Sequence, residues 1–204
     1  MGAMPALDAL LDARHVWRGR LAPKPDHCEP TGHAALDAAL PTSGWPERAL
    51  TEILLTADGV GEIDLLIPTL ARLTRAKKTV VLIAPPYVPY APAWQARGID
   101  LHHLEIIDAE PKQAVWAFEQ CLRSGSCAAV LGWPQRIDHP ALRRLQVAAM
   151  TGHALGFVVR DRQHIENASP AALRLEIGLD RQVIVRKCRG GIAPARAFPI
   201  TQFQ

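Results

Sequence analysis

No stretch of this chain is long and apolar enough to cross a bilayer. The longest apolar run, Val80 to Val88, is broken by Pro85 and Pro86, whereas a spanning helix needs about 20 apolar residues. Cysteine is sparse. Cys28, Cys121, Cys127 and Cys188 form no C-x-x-C pair and no zinc-type spacing, so they read as reduced cytoplasmic thiols rather than a disulfide scaffold or a metal finger. The first residues lack a basic segment ahead of an apolar one, and Asp8 and Asp12 interrupt them, which argues against a signal peptide. Neither a G-x-S-x-G elbow nor an H-E-x-x-H helix occurs, which removes the usual serine-hydrolase and zinc-protease readings. The adjacent pairs His27-Cys28 and His102-His103 point apart in an extended strand, so neither is a metal clip. No repeat or low-complexity segment appears in the 204 residues, a length that suits one globular domain with a short appendage. What is present is ordinary: 49% apolar and 21% charged residues, which excludes disordered and fibrous classes. The expectation is a cytoplasmic protein with no membrane partner.

Acidic residues are missing from one region. From Arg181 to the end the chain carries Arg181, Arg186, Lys187, Arg189 and Arg196 and no carboxylate side chain. Arg186, Lys187, Arg189 and Arg196 are therefore candidates for contact with single-stranded DNA, against the plainer reading of a solvated tail. A formal net charge of +3 is too mild to decide between them.

Hydrophobic periodicity organises the rest. Pro5 to Arg18 carries Leu7, Leu10, Leu11 and Trp17 at helical spacing, with Gly19 at its end, so residues 1–20 form an N-terminal helix unit. Residues 21–30 hold Pro23, Pro25 and Pro30 and read as an extended linker. Residues 31–204 then alternate strand and helix. Strands are expected at Leu50–Leu55, Thr79–Ala84, Leu101–Ile107, Ala128–Leu131 and Leu155–Arg160. Helices fall at Asp64–Arg75, Ala91–Arg97, Pro111–Arg123 and Pro140–Thr151. Leu173–Ile177 and Gln182–Lys187 look like an antiparallel pair at the sheet edge. Strands separated by helical stretches imply βαβ units and a mostly parallel α/β sheet flanked by helices.

In such a sheet the first strand-to-helix turn is the usual phosphate site. Here it reads Thr56-Ala57-Asp58-Gly59-Val60-Gly61-Glu62-Ile63. A working P-loop, G-x-x-x-x-G-K-[ST], needs a Lys to neutralise phosphate and a hydroxyl to hold Mg²⁺. Gly61 stands where the second glycine belongs, but Glu62 replaces the Lys and Ile63 the Ser/Thr. A carboxylate there repels a polyphosphate, so the turn reads as a degenerate nucleotide site, with no cofactor and no catalytic residue expected. Asp58, Glu62 and Asp64 cluster on this turn, where they either bind a hard cation or complement a helix N-terminus. The latter is the plainer reading, and no metal is expected.

The blocks Thr31–Leu40, Gly44–Ile53 and Gly98–Gly125 resemble the entry into a RecA ATPase core. PPYVPYAPAW (Pro85–Trp94), WAFEQCLRSGSCAAVLGWP (Trp116–Pro134), LRRLQVAA (Leu142–Ala149), SPAALRL (Ser169–Leu175) and RKCRGG (Arg186–Gly191) resemble the ImuA family, RecA-like accessory proteins of SOS-induced mutagenic translesion synthesis. That family is similar in turn to the SulA cell-division inhibitors, which block FtsZ polymerisation. Ala128–Trp133 and Gly152–Arg160 suit either family.

The resemblance implies a RecA-like, P-loop-type fold whose catalytic parts are lost. Besides Glu62 and Ile63, the general-base position falls at about Pro86, and the metal-holding Asp falls near Gly132 or Trp133. The protein is therefore expected to be a non-catalytic pseudo-ATPase. As a translesion adaptor it would bind RecA, an ImuB-like Y-family polymerase homologue and an error-prone replicative-type polymerase complex. Leu7, Leu10, Leu11 and Trp17 would anchor a partner, unless that helix packs on its own core. Tyr87 and Tyr90, in a proline-stiffened loop, offer either a docking surface or a rigid crossover. The alternative function is a SulA-like division inhibitor that binds FtsZ; the third is an atypical ATPase.

Overall fold

The computed structural model describes residues 29–200. One eight-stranded sheet, in the order β3-β2-β4-β5-β1-β6-β7-β8, organises them. Its strands are β1 (Leu50–Leu55), β2 (Thr79–Ile83), β3 (Leu104–Ile107), β4 (Cys127–Gly132), β5 (Leu155–Asp161), β6 (Leu173–Ile177), β7 (Gln182–Cys188) and β8 (Ala197–Pro199). β3 to β6 in that spatial order run parallel, while β7 and β8 pair antiparallel at one edge. The helices are α1 (Ala34–Asp37), α2 (Glu62–Arg75), α3 (Ala91–Ala96), α4 (Pro111–Arg123) and α5 (His139–Gly152).

The sheet separates two cores, because successive residues of a strand face opposite sides. Phe157 of β5 joins the layer beneath α2 and α3, with Leu65, Leu66 and Leu70. Its neighbour Val158 joins the layer beneath α4 and α5, with Phe118, Leu122 and Leu145. Trp45, fully buried, meets the Phe157 ring edge-on at 5.0 Å between centroids. Its Nε1–H donates to Thr69 Oγ1 at 2.8 Å, and that hydroxyl donates on to the Pro30 carbonyl at 3.1 Å. The segment ahead of β1 is thus pinned to α2. Gly32 permits the approach: its φ is +88°, and a Cβ there would lie 2.3 Å from Pro68 Cβ.

The α/β class and the parallel order agree with the sequence reading, but several boundaries move. α2 begins at Glu62, not Asp64, because Gly61 at φ 126° turns the chain into the helix two residues earlier than the leucine spacing shows. The strand expected over 101–107 is shortened. Asp100 Oδ1 accepts from the His102 N–H at 3.0 Å and curls Leu101–His103 into a 3₁₀ turn, leaving Leu104–Ile107 as strand. β8 was not expected at all. Among the described residues no helix is long and apolar enough to cross a membrane. The proposed N-terminal helix, with Leu7, Leu10, Leu11 and Trp17, and most of the linker lie outside the described residues.

Candidate functional site

Three positions singled out in the sequence meet in space. Asp58 from the β1–α2 turn, Pro86 after β2 and Trp133 after β4 line one cavity of about 650 Å³. It opens at the carboxyl ends of β1 to β5, the crevice where open α/β sheets hold their ligands. Asp108, Glu110 and Asp161 line it as well, with Arg160 beside them, so carboxylates outnumber cations in the crevice. Ala84, also in its wall, holds a left-handed backbone at φ 47°, a conformation an alanine adopts only when its surroundings enforce it. The indole Nε1–H of Trp133 is buried without a hydrogen-bond partner.

The turn itself is closed from within. Glu62 is 4% exposed, and its carboxylate folds back on the loop that precedes it. The Gly59 N–H donates to Oε1 at 3.1 Å and the Gly61 N–H donates to Oε2 at 3.1 Å. Backbone donors of this kind cradle a phosphate in a working P-loop; here a side-chain carboxylate takes them. Glu62 therefore does more than repel a ligand, because it occupies the donors. Thr56 ties the turn to β6 by donating its Oγ1–H to the Ile177 carbonyl at 3.3 Å, and Ile63 packs partly buried against the core beneath α2.

The carboxylates of this turn do not converge on a cation. Glu62 faces the backbone, and Asp64 is held between Arg97 and Arg181. Burial raises the proton affinity of Asp64, but the two guanidinium groups together hold its carboxyl below the usual range. Among the described residues no group of three or more His, Cys, Asp or Glu side chains is placed to hold a metal ion.

The basic segment is engaged internally. Arg186 Nε–H donates to Glu176 Oε2 at 2.5 Å, Lys187 Nζ to the Ser169 carbonyl at 2.7 Å, and Arg189 to the Pro170 carbonyl at 3.2 Å. Arg196 lies 5.0 Å over the Phe198 ring. Burial, and then Arg189 and Arg174, lower the pKa of Lys187. Each of the four thus makes a contact within the fold, while Arg186, Arg189 and Arg196 stay exposed. Tyr87 and Tyr90 are 73% and 71% exposed, in the loop between β2 and α3.

Sequence reasoning missed a buried ionic network beneath β1. Glu52 is fully buried; it accepts from Arg160 of β5 at 2.6 Å through Oε1 and from Arg174 of β6 at 2.7 Å through Oε2. Arg174 also donates to the Ile165 and His164 carbonyls, and Arg160 to that of Ile137. On the next strand pair, Glu176 takes Arg162 and Arg186. The signal was available: Glu52 interrupts the otherwise uncharged run LTEILL, and Arg174 and Glu176 occupy alternate positions of LRLEI.

The family model described as "Cell division inhibitor SulA" matches residues 49–156, from the residue before β1 into β5. SulA of Edwardsiella piscicida is 30% identical over 103 residues, which cover 50% of this chain and 61% of that protein. SulA of Yersinia pestis (strain Pestoides F) is 26% identical over 115 residues, covering 56% of this chain and 68% of that protein. The crystal structure of SulA from Pseudomonas aeruginosa aligns over 54% of this chain and 96% of its own, at 24% identity and a TM-score of 0.46. These relatives overturn the expected translesion adaptor with its RecA and ImuB-like partners, since they are division inhibitors, the alternative the sequence had left open. The matched stretch spans about three-fifths of the Edwardsiella relative. With more than half of its residues inside the family match, the chain belongs to the family of the cell division inhibitor SulA.

Proposed function

We propose that this protein is a non-catalytic inhibitor of cell division that acts in the cytoplasm by binding FtsZ. The observation that carries the reading is the SulA family match over residues 49–156, which takes in the central strands and every helix from α2 to α5. Control by the SOS response goes with this reading and rests on the resemblance alone. Two features of the site support binding over catalysis. The donors of the β1–α2 turn are taken by Glu62, and the crevice above it is lined by Asp58, Asp108, Glu110 and Asp161. We read that turn as a P-loop of RecA type turned inward, in keeping with its place at the carboxyl end of β1. The narrower likeness to ImuA rests in part on Ser169–Leu175 and Arg186–Gly191, beyond the matched span, and bears on ancestry rather than activity.

The test is sedimentation of FtsZ polymers with GTP in the presence of the purified full chain, paired with expression in dividing cells. Inhibition predicts less pelleted FtsZ and filamentous cells. Unchanged polymer yield at excess protein, with normal cell length, would sink the proposal. Incubation with Mg·ATP is expected to release no phosphate above buffer, and turnover would instead favour an atypical ATPase.

A further inference from the structure

The joined outer faces of α4 and α5 form a surface that the fold does not use. Three large apolar side chains stand out from it: Trp116 is 65% exposed, Val147 50% and Met150 52%. The two helices meet through Glu119, which accepts from Arg123 one turn along α4 at 2.7 Å and from Arg144 of α5 at 3.1 Å. Trp116, three residues before Glu119, and Val147, three after Arg144, flank this bridge at one-turn spacing. Arg143 is exposed beside it. Glu119 is the one carboxylate within either helix, and only 14% of its side chain is exposed. The face is therefore apolar and positive.

We propose that this face binds an acidic segment of a partner protein that carries apolar anchor side chains. Charge decides the class of ligand: three arginines stand against a single covered carboxylate. Composition decides between protein and nucleic acid. Trp, Met and Arg are the residues enriched at protein interfaces, and Val147 and Met150 have nothing to contact on a phosphate backbone, whereas they fit an anchor side chain. Arg123 and Arg144, fixed in position by Glu119, are pre-organised to meet carboxylates. The proposal rests on the reading above in taking the ligand to be a protein partner.

The experiment titrates the full chain with a fluorescein-labelled peptide of Glu and Leu, the Leu set at helical spacing. The same peptide with Lys for Glu and a labelled oligo-dT serve as rival ligands. The Glu-Leu peptide is expected to bind, more weakly as salt rises. Trp116→Ala and Arg143→Glu should each weaken it about tenfold, while Leu179→Ala, 73% exposed in the β6–β7 turn, leaves it unchanged. Circular dichroism melts verify that the variants remain folded. Absence of binding, equal binding by the variants, or preference for the Lys peptide or oligo-dT overturns the proposal. FtsZ sedimentation separates the two readings. If wild type inhibits and both variants inhibit equally, this face is refuted and the division reading stands. If wild type fails to inhibit, the division reading falls and the peptide titration still judges the face.

Discussion

Two buried glutamates, one inside β1 and one at the start of α2, have opposite roles. Glu62, at the carboxyl end of β1, is satisfied by two backbone N–H groups of its own turn. Glu52, inside β1, is satisfied by two guanidinium groups from the strands on either side. Both are almost wholly buried. The first closes a local loop over a separation of one to three residues; the second joins three strands across separations of 108 and 122 residues. A buried carboxylate marks either an occupied anion site or a structural rivet, and its partners tell which.

The strongest way to break the contrast is Glu52→Ala. It leaves Arg160 and Arg174 buried without their counter-charge and should cost about 3–5 kcal/mol, read as a lower urea midpoint. Replacing Glu52, Arg160 and Arg174 together by apolar residues of similar volume should recover much of that loss; failure to recover would mean that the network does more than balance charge.

Glu62→Ala should cost less, about 1–3 kcal/mol, for two backbone donors left without their acceptors. Water reaches the Gly59 turn, which bounds the loss. A cost equal to that of Glu52→Ala in the same urea series would erase the distinction between a local closure and a cross-strand rivet.

Acid sharpens the comparison further. Asp64 and Glu176 are each held below the usual carboxylate range in the fold, because their paired arginines outweigh the effect of burial. The unfolded chain therefore binds more protons than the folded one as pH falls. Their stabilisation is complete above their unfolded values, 3.8 and 4.5, and is lost as pH drops through the lower folded ones. His33 contributes earlier. Burial lowers its pKa despite the Leu65 carbonyl contact, so stability begins to decline below pH 6.5, where the unfolded imidazole takes its proton first. A urea series across pH should show a shallow decline from 6.5 and a steeper one below 4.5. A flat profile down to pH 3.5 would contradict the assigned arginine pairs. The smallest effect belongs to Arg189→Ala, an exposed contact to a carbonyl, at under about 0.5 kcal/mol in the same assay.

Much of the fold was legible because its signals are local. TVVLI in β2 is a β-branched run of the kind buried on both sides, and Pro111 and Pro140 stand in the first turns of α4 and α5. β8 was illegible for the opposite reason. Ala197–Pro199 is three residues long and becomes a strand only because β7 offers it a ladder. At the site, a carboxylate and an apolar side chain after Gly61 could be read from Glu62 and Ile63 directly. That the Glu62 carboxylate occupies the loop's own donors could not, since a side chain's direction depends on the φ of 126° at Gly61 and the wall around it. Arg186 shows the same limit: a basic run looks free in sequence until Glu176, ten residues earlier, is found beside it.

The sequence by itself determined the α/β class, the alternation of strand and helix, and the presence of Glu62 and Ile63 after the glycine of the first turn, since each depends on residue type and near-neighbour spacing. Only the tertiary structure decided which charges meet. Glu52, Arg160 and Arg174 lie far apart along the chain, and the parallel pairing of β1 with β5 and β6 brings them together. Charge pairing acts through space over a few ångströms, and the order of strands in the sheet, not the order of residues, sets those distances.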